Sequence, residues 1–332
     1  MILITGGAGY IGSHTTLEFL NSGYEVVVFD NLETGHLETI DILKKEGDLE
    51  FFKGDLKNQK DLDELFKKYN IEAVIHFAAS SIVSESVKNP AKYYRNNVLG
   101  TLNLLDCMIK NNVKKIVFSS TCATYGEPKY VPLDENHPQN PINPYGQTKL
   151  MIEKIMDDYD RAYNLKSIRL RYFNVAGANS EAKIGEWHET ETHLIPNILK
   201  SVFEKDKTFK IFGDDYNTPD GTCIRDYVNV EDLAKAHKYA LLYLNKENKT
   251  DYFNIGTQEG DSVKKVFSIC REILKKEIPL EIAPKREGDP AILYANSKKA
   301  KEILNWKGEK NLKDSIKSAY EWEKKLQKIK KF

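Results

Sequence analysis

Short apolar runs rich in β-branched residues alternate with longer segments of helical period through the first half of the chain. The runs at residues 2–5, 25–29, 49–53, 73–77, 115–119 and 167–170 read as strands, and the amphipathic stretches at 10–21, 59–69, 93–110 and 146–163 read as helices. This order predicts repeated βαβ units, and the unbroken apolar character of the strands predicts a parallel sheet covered on both faces. The expected fold class is α/β: a Rossmann-type doubly wound parallel sheet followed by a smaller C-terminal α/β domain. After about Phe173 the alternation stops, and helices at 196–204, 231–244 and 263–275 stand among polar turns. We place the boundary at 1–175 and 176–332, with segments around 226–257 able to return to the first domain. No Gly-, Ser- or Pro-rich linker intervenes, so the halves are expected to pack together and leave a ligand cleft. The Lys-rich end, 324–332, reads as a solvated helix terminus.

Composition narrows the function classes. The 332 residues carry 49 Lys plus Arg against 49 Asp plus Glu, a formal charge of zero, with 41% hydrophobic residues. A nucleic-acid binder built on bulk positive charge is excluded, and there is no long-range pull toward an anionic membrane. No apolar run approaches the roughly 18 residues of a membrane span. Cys107, Cys122, Cys223 and Cys270 are scattered with no C-x-x-C pair, which points to a reducing compartment. Met1 leads into Ile2, Leu3 and Ile4 without a basic leader or cleavage site, so a cytoplasmic location is expected.

The first strand runs into Gly6, Gly7, Ala8, Gly9, Tyr10, Ile11 and Gly12, matching both G-x-G-x-x-G and the wider G-x-x-G-x-x-G spacing. Such a turn lets backbone N–H groups and a helix N-terminus approach a pyrophosphate. Asp30 ends the second strand 18 residues beyond Gly12, close to the spacing expected for a ribose contact. A carboxylate accepts from a ribose 2′-hydroxyl and repels a 2′-phosphate, and the following Asn31 and Leu32 supply no compensating cation, so NAD is favoured over NADP. Later strand ends offer Asp55, Leu56, Phe77, Ala78 and Ala79 to the adenine and ribose side, although Asp55 also fits a helix cap.

Tyr145 and Lys149 stand i, i+4 on the helix expected at 146–163, on one face and turned toward the cofactor. A cation beside a phenol favours its ionised form, typically by about 1–3 pKa units, which would make Tyr145 a usable base. Ser119, Ser120 and Thr121 close the fifth strand and place a hydroxyl within reach of the same substrate oxygen.

Together these residues resemble the extended short-chain dehydrogenase/reductases, and within them the UDP-glucose 4-epimerases. The likeness runs through TGGAGYIGSH at 5–14, DNL at 30–32, HFAA at 76–79, YYRNNVLGT at 93–101, SSTCATYGEP at 119–128, NPYGQTK at 143–149, RYFNVAGA at 171–178 and IFGDDYNTPDGTCIRDYV at 211–228. It implies a homodimer holding NAD tightly and acting on a UDP-sugar, with Tyr145 as base, Lys149 tuning it and Thr121 at the Ser/Thr position. It also implies cofactor contacts from Asn97, Ser119, Tyr172 and Phe173, and UDP contacts from Asn174, His193, Leu194, Phe212, Arg225, Arg286 and Asp289. The family reaction inverts C4 through a transient 4-ketone with no net oxidation.

Departures and rivals follow. Cys122 and Ala123 stand after Thr121 where sugar-nucleotide dehydratases carry a carboxylate, which disfavours dehydration. Ser80 and Ser81 replace a lysine that some members carry. The sugar gate aligns with Leu293 or, one residue on, Tyr294: the short leucine suits a 2-acetamido group and adds UDP-GlcNAc and UDP-GalNAc to the expected substrates, whereas the tyrosine reverses that reading. A UDP-glucuronate 4-epimerase and a non-catalytic NAD(H) sensor remain alternatives. His188, Glu189, Glu191 and His193 resemble H-E-x-x-H, but the histidines are five apart, about 140° around a helix, so no metal site is expected.

Overall fold

The computed structural model describes residues 1–204, 207–286 and 290–329. Six strands come from the first half: β1 (Ile2–Thr5), β2 (Val26–Asp30), β3 (Leu49–Lys53), β4 (Ala73–His76), β5 (Lys115–Thr121) and β6 (Lys166–Tyr172). With Asp251–Ile255 they form one seven-stranded sheet in the order Asp251–Ile255, β6, β5, β4, β1, β2, β3, and every pairing is parallel. Period-two geometry sends neighbouring residues of a strand to opposite faces. Ile2 and Ile4 accordingly join one buried cluster, with Val26 and Val28. Leu3 joins another, with Val27, Val74 and Phe118. Both faces are thus covered, as continuous apolar strands require.

The strand order reverses between β1 and β4, and in such sheets ligands bind outside the carboxyl ends at this switch point. The glycine turn follows β1 there. The second half contributes to the same sheet: Asp251–Ile255 lies beside β6, and the buried face of the helix Val230–Glu247, including Leu233, Ala236 and Leu241, joins the cluster built from the helix Tyr10–Asn21.

The remaining residues form short pairings. Asn174–Ala176 lies beside Tyr227–Asn229, Phe209–Phe212 beside Leu280–Ala283, and Ile224–Arg225 between Asp261–Ser262 and Ile292–Leu293. A separate core gathers Ile198, Leu199, Phe209, Phe267 and Ile316.

One expected helix is divided. Residues 93–110 comprise the end of the turn Pro90–Tyr93, a π-helical segment Tyr94–Leu99 and the α-helix Gly100–Lys110. The apolar periodicity that predicts a helix carries no mark of the wider turn. Among the described residues no helix is long and apolar enough to cross a membrane.

Candidate active site

The turn after β1 is built on close backbone approach. Gly6 has φ +73°, and a Cβ there would lie 2.6 Å from the Ala78 nitrogen; a Cβ on Gly12 would lie 2.1 Å from the Gly6 carbonyl oxygen. Neither position accepts a side chain without moving backbone. Gly9 caps the helix Tyr10–Asn21, whose first turn contains no acidic residue, so its positive end is left for an anion. Tyr10 is buried and donates from its hydroxyl to the Gly177 carbonyl at 2.6 Å, tying this helix to the second half. Ile11 packs against the first core cluster.

Asp30 is buried at the end of β2, where Oδ2 accepts from the Ala8 amide at 3.0 Å and Oδ1 from the Leu32 amide at 2.8 Å. Burial pushes its carboxyl up, and the two amide donors oppose that. Each oxygen keeps a second lone pair for a hydroxyl. Asp55 accepts from Asn31 Nδ2 at 3.1 Å and from the Lys57 amide at 2.8 Å. It is not the cap of the next helix, because Asn58 fills that position. Leu56 is buried in the second core cluster, against Gly100. The Phe77 and Ala78 amides donate to the Thr5 carbonyl, Phe77 meets the His237 ring at 4.6 Å, and Ala79 is half-buried beside them.

The π-helical turn explains Asn97. Its side chain is fully buried, accepting from the Ser80 amide at 2.8 Å and donating to the Ser80 carbonyl at 3.0 Å and to Thr148 Oγ1 at 3.1 Å. Thr148 in turn donates to the Tyr145 carbonyl at 2.7 Å. Asn97 therefore links the loop after β4 to the helix of Tyr145. Sequence reasoning found the residue and missed this clamp, since nothing in the pattern marks the π turn.

Tyr145 occupies the first turn of the helix Pro144–Tyr163, capped by Asn143, whose Oδ1 accepts from the Gly146 amide at 2.8 Å. Gly146 is required: a Cβ there would meet the Ala123 carbonyl at 2.5 Å. Thr121, which ends β5, holds the next turn through its Oγ1, an acceptor for the Ala123 amide at 3.1 Å. Lys149 is buried and donates from Nζ to the Ser119 carbonyl at 2.7 Å. Ser119 Oγ and the Tyr172 hydroxyl form a short hydrogen bond, and Phe173 is buried near Cys122.

The pairing of Tyr145 with Lys149 differs from the sequence expectation in one respect. Lys149 Nζ lies 6.0 Å from the Tyr145 ring centre, near enough for a positive charge to favour the phenolate. Burial outweighs it. It pushes the Tyr145 phenol well above its ordinary range, Tyr172 adds to that, and a hydrogen bond with Thr121 opposes it. Burial also pulls the Lys149 ammonium down to about 7, against the Glu153 carboxylate. Burial thus works against the charge effect that the i, i+4 spacing suggests.

Behind these residues lies a buried ion pair that sequence reasoning missed. Arg171 Nη2 meets Glu153 Oε2 at 2.5 Å, and Glu153 Oε1 accepts from Ser120 Oγ at 2.5 Å. Spacing gives no signal for it, because the partners come from a helix and a strand joined only by the fold.

On the other side, Arg286 stacks its guanidinium on Phe212 at 3.9 Å. Arg225 lies beside Leu293 in the parallel register of their strands. The neighbouring Asp226 is fully buried and accepts from the Thr257 amide and hydroxyl. Leu293 packs on the cluster of Cys122, Tyr125 and Phe173, whereas the Tyr294 ring lies against Gly260. Strand alternation thus presents Leu293 and not Tyr294 to the end of β5. Asn174 is exposed at the start of its strand, and His193 caps the helix Leu194–Phe203. Asp289 lies outside the described residues.

The segment from Gly177 to His193 is not helical. The 140° argument against shared coordination by His188 and His193 therefore fails, and both rings turn toward Glu186.

A family model described as GDP-mannose 4,6 dehydratase matches residues 3–319. A curated UDP-glucose 4-epimerase of Halalkalibacterium halodurans is 49% identical over 324 residues, covering 97% of this chain and 95% of its own. The crystal structure of UDP-glucose 4-epimerase from Bifidobacterium longum in complex with NAD+ and UDP superposes with a TM-score of 0.93 at 38% identity, covering 98% of both chains. The UDP-Glc/GlcNAc 4-epimerase of Campylobacter jejuni does so with a TM-score of 0.86 at 43% identity, covering 98% of this chain and 99% of its own.

Proposed function

This chain belongs to the UDP-glucose 4-epimerases, within the broader family that includes GDP-mannose 4,6 dehydratase, and from that premise we propose how its own residues carry the reaction. It is an NAD-dependent isomerase that interconverts UDP-glucose and UDP-galactose by inverting C4. The glycine cradle fits the cofactor: Gly6 and Gly12 leave no space for a Cβ, and Asp30 offers two carboxylate oxygens at the end of β2. When bound, NAD supplies a reversible hydride acceptor and a positively charged pyridinium ring.

In this reading Gly6, Gly9, Tyr10, Ile11 and Gly12 cradle the pyrophosphate, and Asp30 with Asn31 holds a ribose. Tyr145 takes the proton of the sugar 4-hydroxyl and returns it after the resulting 4-ketone has turned over. Thr121 orients the same oxygen. Lys149, held by the Ser119 carbonyl, supplies positive charge beside the Tyr145 phenol. Asn97 acts as a positioning residue. Residues 1–175 with the returning strand Asp251–Ile255 form the cofactor unit. The rest grips UDP through Arg225, the Arg286–Phe212 stack and Leu194, with Asn174 added from the end of the first unit, because guanidinium groups match a diphosphate.

The observation that carries this assignment is the convergence of Thr121, Tyr145 and Lys149 at the end of β5, next to the switch point. Its test is conversion of UDP-glucose to UDP-galactose, followed by NMR together with absorbance. Product without stoichiometric growth of free NADH supports it. Accumulating NADH indicates a net oxidoreductase, and bound NAD with no product indicates a sensor.

Leu293 at the sugar side supports activity on N-acetylated UDP-hexoses as well. Val83, Val87, Tyr94, Leu99 and Tyr163, exposed on the helices around Tyr145, support a homodimer formed through that face. The buried cysteines, none of them in a disulfide among the described residues, support a cytoplasmic setting.

A further inference from the structure

We propose that Glu186, His188, Glu191 and His193 form a structural zinc site, a reading that does not depend on the epimerase assignment. One ligand atom from each residue lies within 4.8 Å of the others. His188 Nδ1 stands 3.2 Å from Glu186 Oε1 and 3.7 Å from Glu191 Oε1, and His193 Nδ1 makes a short contact with the same Glu186 oxygen. Four donors around a tetrahedral ion with bonds of about 2.0–2.1 Å sit roughly 3.4 Å apart, so the widest pair has to close by about an ångström or a little more.

The donor set selects the ion. Two imidazole nitrogens with two carboxylates suit a borderline first-row divalent metal, whereas calcium and magnesium take oxygen ligands. Four protein donors fill a tetrahedron, which is the form of a structural site and not of a catalytic one. The two carboxylates have side chains only 6% and 4% exposed, and Lys200 lies 3.6 Å from Glu191 Oε2. Buried anions of this kind require a cation or protons between them.

The surrounding structure fixes the donors as an outer shell would. The Glu186 carbonyl accepts from Trp322 Nε1 at 2.8 Å, and Gly185 lies so close to the Trp322 ring that a Cβ would meet it at 2.3 Å. The intervening Trp187 stacks on His36 at 3.8 Å. Glu191 Oε1 accepts from the amides of Thr192 and His193. An irregular segment is thereby pinned on both sides of its ligands, and zinc would lock it to the start of the helix Leu194–Phe203.

The test is zinc content and metal-dependent stability of the full chain. Protein dialysed against zinc and then against metal-free buffer should retain about one zinc per chain by elemental analysis. Its melting temperature should stand roughly 5 °C above that of chelator-treated protein when zinc is a hundredfold above its Kd. Cobalt should give the intense visible bands of a tetrahedral site. His188→Ala and Glu191→Gln should weaken zinc binding by roughly a hundredfold, with folding checked by circular dichroism. Zinc content near zero with no melting shift and no cobalt spectrum overturns the proposal, as does equal binding by the variants. The cobalt spectrum of the unaltered chain decides the matter if a variant fails to fold.

Discussion

Lys149 donates from Nζ to the carbonyl oxygen of Ser119 at 2.7 Å. The bond ties the helix of Tyr145 to the strand of Thr121, and it places a cation in an interior that resists charge.

The cost of that placement is readable in stability against pH. Burial lowers the Lys149 ammonium to about 7, against about 10.4 in an unfolded chain. Between those values the unfolded state holds a proton that the folded state has released, so this group makes stability rise with pH; the full cost, roughly 5 kcal/mol, is felt below pH 7. Lys149→Met is expected to unfold at higher urea than the unaltered chain at pH 7, and the advantage should shrink to nothing only above about pH 11. A gap independent of pH would show that the ammonium bears no such cost.

Glu153 and Arg171 make the opposite case, a buried pair whose charges satisfy each other. Removing one partner leaves a buried charge, so Glu153→Gln is expected to cost about 3–5 kcal/mol in urea unfolding. Replacing both with Met should recover most of that loss. Equal losses in the single and double variants would contradict the pairing.

How legible all this was in the sequence depends on the distance over which each feature is encoded. The strands, the glycine turn and Asp30 are local: periodicity marks the first, and steric demands on successive residues mark the others. Tyr145 and Lys149 are local too, through one helix turn. Their charge balance is not, because it depends on burial and on Tyr172, which the fold brings in from β6. Asn97 was visible as a residue but not as a clamp, since the π turn that aims it leaves no trace in apolar spacing. The helical premise applied to His188 and His193 fails for a related reason: five-residue spacing separates two side chains by about 140° only on a helix, and the segment is held irregular by Trp322 and His36 from elsewhere in the chain.

The glycine turn yields a sharper prediction than its motif does. A Cβ on Gly12 would stand 2.1 Å from the Gly6 carbonyl, so Gly12→Ala has to displace the backbone that faces the pyrophosphate. NAD affinity is expected to fall by roughly tenfold or more, about 1.4 kcal/mol per factor of ten. Calorimetric titration checks it, and unchanged affinity would remove this turn from the cofactor site.

The proposed sugar gate, Leu293, offers a test of activity on N-acetylated substrates. Leu293→Tyr fills the space beside Cys122 and Phe173 and is expected to lower turnover of UDP-GlcNAc relative to UDP-glucose by roughly 10–100-fold. An unchanged ratio would move the gate elsewhere.

The most direct test is Tyr145→Phe, which keeps the ring and removes only the hydroxyl. With bound NAD measured by absorbance and UDP-galactose formation followed by NMR, the variant is expected to retain the cofactor and lose about 10²–10⁴-fold in turnover. Turnover equal to that of the unaltered chain would contradict the assignment of Tyr145 as the base.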